Sequence, residues 1–189
     1  MKKFFSIVLS AVMLLSFAAC KNNDNSSKSN TVDLEYYAGL GQLPECNYKL
    51  GDGIETLKSE LSAANDQAGE NGEDYVYSVT EGEKTVRIDN GSFAYYYDKE
   101  KESNGISYII SLDTAYGFES GTSILEIKEA LPELEPTEED ANSDNVFFIY
   151  GVSNGTVLKY NFENRVVMFV FADNMLCATA LYDTDNWNE

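Results

Sequence analysis

The hydrophobic pattern of the chain repeats itself at a spacing of about 70 residues. Residues 51–61 align with residues 121–131, and in both segments apolar side chains recur at intervals of three and four positions. That interval places them on one face of a helix of period 3.6. Each segment therefore predicts a short amphipathic helix, and Pro132 predicts the end of the second one.

Both predicted helices carry a start signal. Asp52 with Glu55, and Ser123 with Glu126, have the spacing of a capping box, in which the first side chain and the third helical side chain bond each other's backbone N–H groups. The pattern predicts that the same kind of cap begins both helices.

A polar stretch and then four runs of β-branched and aromatic residues follow each helix. Loops are predicted over residues 63–74 and 133–145. Strands are predicted over residues 75–80, 85–88, 92–97 and 106–112 in the first copy, and over 146–150, 156–160, 165–171 and 175–182 in the second. Turn signals such as Asn90-Gly91 separate the strands. The predicted fold class is α+β, with two tandem repeats that each contain a short helical element and a four-stranded antiparallel meander.

Two of the predicted strands differ in how their apolar residues are arranged. In residues 106–112, four apolar residues alternate with Ser107, Ile109 and Ser111, which indicates one covered sheet face. Residues 166–171 are apolar throughout, which predicts a central strand or one that is covered on both faces.

A tandem of helix-plus-four-strand modules resembles the β-lactamase inhibitor protein family, and the helix pattern Gly-x-x-Ile-x-x-Leu-Lys-x-x-Leu is similar to small lipoproteins that assemble outer-membrane β-barrels. The resemblance covers residues 48–187, with a lead-in at 32–47, a first repeat at 48–117 and a second at 118–189. It implies a concave sheet surface that is offered to a protein partner. No inhibitory residue of the first family maps onto a position of this chain.

The aromatic residues of the first repeat are the candidates for that surface. They are Tyr75, Tyr77, Tyr95, Tyr96 and Tyr97. A strand tyrosine can bury a large rigid ring in an interface and keep its hydroxyl for a hydrogen bond. Because side chains alternate along a strand, a place in the core is the alternative for each of them. Tyr96 is expected on the face opposite to its two neighbours.

The first residues of the chain have the pattern of an export signal. Lys2 and Lys3 precede an apolar run that ends in Phe17-Ala18-Ala19-Cys20. This ending resembles the lipobox of bacterial lipoproteins, which predicts a signal peptide over residues 1–19 and a lipid on Cys20. Because residues 21–31 contain no apolar side chain, residues 20–31 are expected to form the lipidated cysteine and a disordered tether. The predicted location is extracytoplasmic, at a membrane surface.

Charge narrows the choice of partner. Without Lys2 and Lys3 the chain keeps 11 of its 13 basic residues against 32 acidic ones, a net charge of −21. Such a surface repels phosphate groups, so nucleic acid is excluded as a partner. The expected partners are an envelope or secreted protein and, through the lipid on Cys20, the membrane.

The sequence offers little for catalysis or metal binding. It has no histidine, which removes the commonest general base and metal ligand. Residues 140–145 begin like a calcium loop but lack glycine at the sixth position, so no metal and no cofactor are predicted. Export would permit a disulfide between Cys46 and Cys177, with two buried free thiols as the alternative.

The leading hypothesis is a lipid-anchored module, not an enzyme, that binds a protein through an aromatic sheet surface. The first alternative is a carbohydrate- or peptidoglycan-binding module, because tyrosines and carboxylates also suit sugars. The second is a hydrolase with two carboxylates. A sugar site requires a groove with a flat ring and carboxylates beside it, whereas a hydrolase requires two carboxyls that face each other.

Overall fold

The computed structural model describes residues 33–72, 77–141 and 155–187. The helices are α1 (Leu34–Leu40), α2 (Ile54–Asn71) and α3 (Ile124–Ala130). The strands are β1 (Ser78–Glu81), β2 (Thr85–Asp89), β3 (Phe93–Asp98), β4 (Tyr108–Ser111), β5 (Thr137–Ala141), β6 (Gly155–Phe162), β7 (Arg165–Ala172) and β8 (Met175–Asp183). A short 3-10 helix at Lys99–Asn104 follows β3. The predicted signal peptide, Cys20, the tether, Tyr75 and the predicted strand at 146–150 lie outside the described residues.

The described strands form one antiparallel sheet in the order β1-β2-β3-β4-β8-β7-β6-β5. Hairpin neighbours pair within each half of the chain, and β4 and β8 join the halves, with Tyr108 opposite Tyr182. The helices and the antiparallel sheet confirm the α+β class.

The helices cover one face of the sheet. Leu57 and Leu61 of α2 and Ile127 of α3 belong to a core cluster that also contains Tyr95 and Phe169 of the sheet. Each of these side chains is at most 3% exposed, and burial of such apolar surface is the main favourable term in folding. We call this side of the sheet the helix face. The opposite face carries a second cluster of buried residues.

The strand patterns were predicted with mixed success. Six consecutive residues of β7, 166–171, are buried, so the prediction of a strand covered on both faces is confirmed. In β4 the alternation is wrong, because all four residues are buried. Ile109 packs in the helix-face cluster, whereas Tyr108 and Ile110 pack on the opposite face. The helix-face cluster covers Ile109, and the rings of Tyr182 and Trp187 pack against Tyr108 on the opposite face.

The second helix of the chain is longer than its pattern predicts. Helix α2 continues through most of the predicted loop at 63–74, and Ala68 anchors its last part in the core. Its N-cap is Gly53, without a side-chain bond, while Asp52 accepts a hydrogen bond from the backbone N–H of Lys49. The predicted capping box is therefore wrong here. In α3 the box of Ser123 and Glu126 is confirmed. The part of the chain that the structure describes contains no helix long and apolar enough to cross a membrane.

Strand β5 lies inside the stretch 133–145 that was predicted to be a loop. Its sequence, Thr-Glu-Glu-Asp-Ala, has no alternation of apolar and polar residues, and only Ala141 is buried. The strand exists because it pairs with β6 over five residues at one edge of the sheet. Pairing with a neighbour therefore decides the conformation of this segment.

Candidate functional site

The three consecutive tyrosines of β3 alternate between the faces of the sheet. Tyr95 and Tyr97 belong to the helix-face cluster, and Tyr96 to the cluster on the opposite face, as predicted from alternation. All three are buried, with exposed fractions of 2%, 6% and 4%. The expectation that they form an exposed aromatic surface is therefore wrong. The helix-face cluster covers Tyr95 and Tyr97, while the rings of Tyr108 and Trp187 pack against Tyr96.

Tyr77 stands at the entrance to β1 and is half-buried. Its ring packs against the helix-face cluster. Its backbone N–H donates to the side-chain oxygen of Asn65 at 3.1 Å, and its carbonyl accepts from the side-chain nitrogen of the same residue at 3.3 Å. Tyr77 therefore fixes β1 to α2 and offers little free ring to a partner.

The two cysteines of the described residues are not joined. Cys46 is buried in the helix-face cluster, and Cys177 packs against the cluster on the opposite face. The thiol of Cys177 donates a hydrogen bond to the carbonyl oxygen of Val170 at 3.2 Å. The disulfide that export would permit is absent from the structure because the sheet separates the two side chains, and both remain free thiols.

A polar groove opens on the face opposite to the helices, where β1, β2 and β3 lie side by side. Its volume is about 570 Å³. Tyr96 contributes to the lining, so the one tyrosine expected on the opposite face borders this groove. The lining residues are Ser78, Thr80, Gly82, Thr85, Arg87, Asp89 and Tyr96. We call this feature the β1–β3 groove.

Arg87 is the central charged group of the β1–β3 groove. Its guanidinium carbon lies 5.6 Å from the centre of the Tyr96 ring, and its Nε donates to an Asp89 oxygen at 3.1 Å. Burial acts to lower the pKa of Arg87, but the hydrogen bond with Asp89 and the nearby Tyr96 outweigh it and raise the pKa. Arg87 therefore stays a cation, and the bond to Asp89 holds it over the Tyr96 ring.

Burial raises the pKa of Tyr96, and the neighbouring Arg87 opposes this effect. The Tyr96 hydroxyl therefore keeps its proton at neutral pH. The sequence did not single out Arg87 or Asp89. A signal was present, however, since Thr85, Arg87 and Asp89 alternate with two apolar residues and so mark a polar sheet face.

A cluster of aromatic rings borders the groove. The rings of Tyr108 and Tyr182 are stacked with centres 5.1 Å apart. Trp187 lies over this end of the sheet, with its ring centre 4.8 Å from Tyr108 and 5.7 Å from Tyr96. Its backbone N–H donates to the carbonyl of Asp183 at 2.8 Å, which holds it in a turn after β8. Sequence reasoning missed Trp187 because it follows the last predicted strand.

Trp187 also lines a smaller pocket of about 250 Å³. The other lining residues are Lys84, Thr85, Asp98, Glu100, Lys101 and Asn186. Thr85 belongs to this pocket and to the β1–β3 groove, so the two depressions are contiguous. The pocket combines an indole ring with an amide, carboxylates and ammonium groups.

No protein-family model, curated protein or solved structure matches this chain.

Neither the β1–β3 groove nor the Trp187 pocket supports catalysis by a pair of carboxyl groups. Asp98 accepts a hydrogen bond from the backbone N–H of Glu100 at 2.8 Å, so it caps the turn that follows β3. Burial raises the pKa of Glu45, which lines neither the groove nor the pocket. Within residues 33–72, 77–141 and 155–187, no three metal-ligating side chains come together. The described groove and pocket bring aromatic rings and charged groups together.

Proposed function

We propose that this protein is a lipid-anchored, extracytoplasmic module that binds an envelope or secreted protein at the β1–β3 end of its sheet. The single observation that carries the proposal is Arg87, held over the Tyr96 ring in an open polar groove. Arginine and tyrosine are enriched among the residues that dominate binding energy in protein interfaces. The guanidinium is already fixed by Asp89, so little side-chain entropy remains to be lost on binding.

The architecture supports the same proposal. Helix α2 with strands β1 to β4, and helix α3 with strands β5 to β8, would be the two tandem repeats, joined between β4 and β8. The resemblance to the β-lactamase inhibitor protein family implies the sheet face as the binding side, and the groove lies on the face away from the helices. The signal pattern and Cys20 would place this surface outside the cytoplasm.

The experiment is an affinity capture of envelope and secreted proteins with the full chain solubilised in detergent. The Arg87→Ala variant should lose the partner that the wild type captures. Arg87→Lys keeps the charge but not the planar group, and should recover only part of the binding. Lys128→Ala serves as the charge-matched control, because Lys128 lies on α3, outside the groove. Equal capture by Arg87→Ala and the wild type would contradict the proposal.

A second function is favoured by one observation, the pocket beside Trp187. Sugars bind to flat aromatic faces with carboxylates and amides at the edge, and Asn186 and Glu100 line this pocket together with the indole. Titration with peptidoglycan fragments should then change the fluorescence of Trp187, which is the one tryptophan of the chain. An unchanged spectrum at millimolar fragment would exclude a sugar at this pocket.

A further inference from the structure

Among the residues that the structure describes, none pairs with the outer edge of β1, and its register shows which backbone groups point outward. The backbone N–H of Gly82 donates to the carbonyl of Thr85 at 2.8 Å, and Thr80 lies opposite Arg87. In an antiparallel pair, residues bond to the neighbouring strand at every second position. Ser78 and Thr80 therefore bond to β2, whereas the N–H and C=O groups of Val79 and Glu81 point away from the sheet.

At Tyr77, the backbone groups that point away from β2 are bonded by a side chain. Tyr77 is two residues before Val79 and faces the same way, and the Asn65 amide bonds both of its backbone groups. A side-chain amide has the same donor and acceptor as a peptide unit, so Asn65 imitates one residue of a neighbouring strand. Asn65 serves only Tyr77, and the described residues place no strand beside Val79 and Glu81.

The two edge strands of the sheet, β1 and β5, differ in how well they are protected against pairing with a further strand. Edge strand β5 carries Glu138, Glu139 and Asp140 in succession, and such charges deter the pairing of another strand. Edge strand β1 reads Ser-Val-Thr-Glu, with four exposed residues and one charge. Val79 is 55% exposed, an unusual position for a β-branched apolar side chain at a free edge. Of the two edge strands in the described sheet, β1 is therefore the one that is open to strand addition.

Charge selects the kind of strand. Four acidic residues are exposed around this edge, namely Glu81 and Glu83 at the β1–β2 hairpin and Asp66 and Glu70 on the helix that carries Asn65. Two exposed lysines stand against them, Lys84 in the hairpin and Lys99, which pairs with Glu81 at 3.2 Å, so the edge stays net negative. A second copy of this chain would bring the same negative groups to the edge, against a net charge of −21 on each copy (11 basic and 32 acidic residues once Lys2 and Lys3 are removed). A segment with lysine or arginine at its ends is attracted instead.

We propose that β1 receives an extended, cationic segment of the partner protein as an additional strand, bonded to the backbone of Val79 and Glu81. This inference rests on the proposed function and specifies how the partner binds. Main-chain hydrogen bonds supply the affinity in this mode, and side chains at alternate positions supply the specificity. The groove adjoins the edge through Ser78 and Thr80, so a partner can occupy both.

The test uses the full chain in detergent and a synthetic peptide, Lys-Thr-Val-Thr-Val-Thr-Lys with blocked ends. Amide hydrogen exchange, measured for each residue by NMR, shows directly whether the backbone N–H groups at the edge of β1 become hydrogen-bonded. We expect the peptide to slow exchange at Val79 and Glu81 by about tenfold or more, since both amides become hydrogen-bonded. Exchange at Ser78 and Thr80, which already bond to β2, should change far less.

Matched controls separate backbone pairing from other contacts. A peptide that is N-methylated at alternate residues keeps its side chains and charge but loses the backbone N–H donors that would face β1. It should bind about tenfold more weakly or worse. A peptide with glutamates in place of the lysines should also lose binding. On the protein, Val79→Pro removes the outward N–H and keeps the bonds to β2, whereas Val79→Thr keeps both. Peptide binding should be lost in Val79→Pro and kept in Val79→Thr. If the proline variant does not fold, the N-methylated peptide still tests whether backbone hydrogen bonds are needed.

Three results would overturn the inference. They are no binding of the lysine peptide at millimolar concentration, binding without protection of Val79 and Glu81, and protection of these amides without peptide in a self-associated protein. The last would make a second copy the occupant. None of them decides the proposed function, because the Arg87→Ala capture tests the groove independently.

Discussion

The thiol of Cys46 lies 3.5 Å from the phenol oxygen of Tyr95, inside the core beneath the helices. Cys46 belongs to the lead-in segment before α2, and Tyr95 to the middle of β3. The contact therefore ties the start of the domain to the centre of the sheet. Burial raises the pKa of the Cys46 thiol, and the hydrogen bond with Tyr95 opposes this effect only in part.

This contact predicts the chemical state of the cysteines. Native protein should react slowly with a thiol reagent at neutral pH, because the pKa of both Cys46 and Cys177 is raised by burial and thiolate is scarce. Unfolding without a reductant should release both thiols to the reagent. Mass spectrometry of the labelled, unreduced protein measures this. A protein that gains labels only after reduction would contradict the free-thiol state.

The buried tyrosines predict a loss of stability at alkaline pH. Burial raises the pKa of Tyr95 and Tyr116 far above the ordinary value of 10, and that of Tyr160 to about 12. A pKa raised in the folded state contributes stability that is complete below the unfolded pKa and is lost as pH rises through the folded one. The melting temperature should therefore stay level to about pH 10 and fall above it. Tyr160→Phe should make that fall shallower.

Glycine 105 predicts a sharp difference between two similar substitutions. At Gly105, φ is +75° and an added Cβ would meet the backbone oxygens of Asp52 and Gly51, so Gly105→Ala should cost about 2 kcal/mol or more of unfolding free energy. Gly39 lies in α1 with no atom within 4 Å of such a Cβ. Gly39→Ala should leave stability unchanged or raise it by up to about 1 kcal/mol. Urea unfolding measures both, and equal effects would contradict this account.

The capping box of α3 predicts a further asymmetry. Ser123 accepts a hydrogen bond from the backbone N–H of Glu126, whose carboxylate bonds back to the Ser123 N–H. Ser123→Ala should therefore destabilise the protein by about 1 kcal/mol. Asp52→Ala is the matched control, since α2 begins without a side-chain cap. Thermal unfolding compares the two variants, and a larger loss for Asp52→Ala would contradict the assignment.

The signal pattern predicts that Cys20 carries the membrane anchor. In cells fed an alkyne-labelled fatty acid, the wild-type chain should be labelled and found with the membrane. Cys20→Ser should abolish the label and release the domain, because the acyl chains supply the binding energy to the bilayer. Cys46→Ser, which alters a core cysteine, should keep the label. Labelling of Cys20→Ser would place the lipid elsewhere.

The parts of the fold that were predictable carry a strong local signal. The α+β class and the positions of β2, β3, β7 and β8 follow from β-branched and aromatic runs between turn residues. Alternation also placed Tyr96 opposite to its neighbours. Each of these features depends on residues that are close together in the sequence, so a single sequence is enough to predict it.

The features that were missed depend on distant contacts. Acidic β5 is a strand because β6 pairs with it. Tyr95 and Tyr97 are buried because the helix-face cluster covers them, and Tyr96 because distant rings, including Trp187, pack on it. Separation of the two cysteines by the sheet is likewise a property of the tertiary structure. The groove combines residues from three strands, so its lining appears only when the register is known.

The joint between β4 and β8 has a consequence for how the chain folds. Every other pair among the described strands joins strands that are consecutive along the chain, whereas Ile109 must pair with Leu181 across the whole second half of the chain. Closing so long a loop costs entropy and slows folding. Until β8 arrives, β4 remains an unpaired edge with apolar side chains on both faces. During synthesis, the half-finished sheet is therefore the state of this protein that is most prone to pair with a wrong strand.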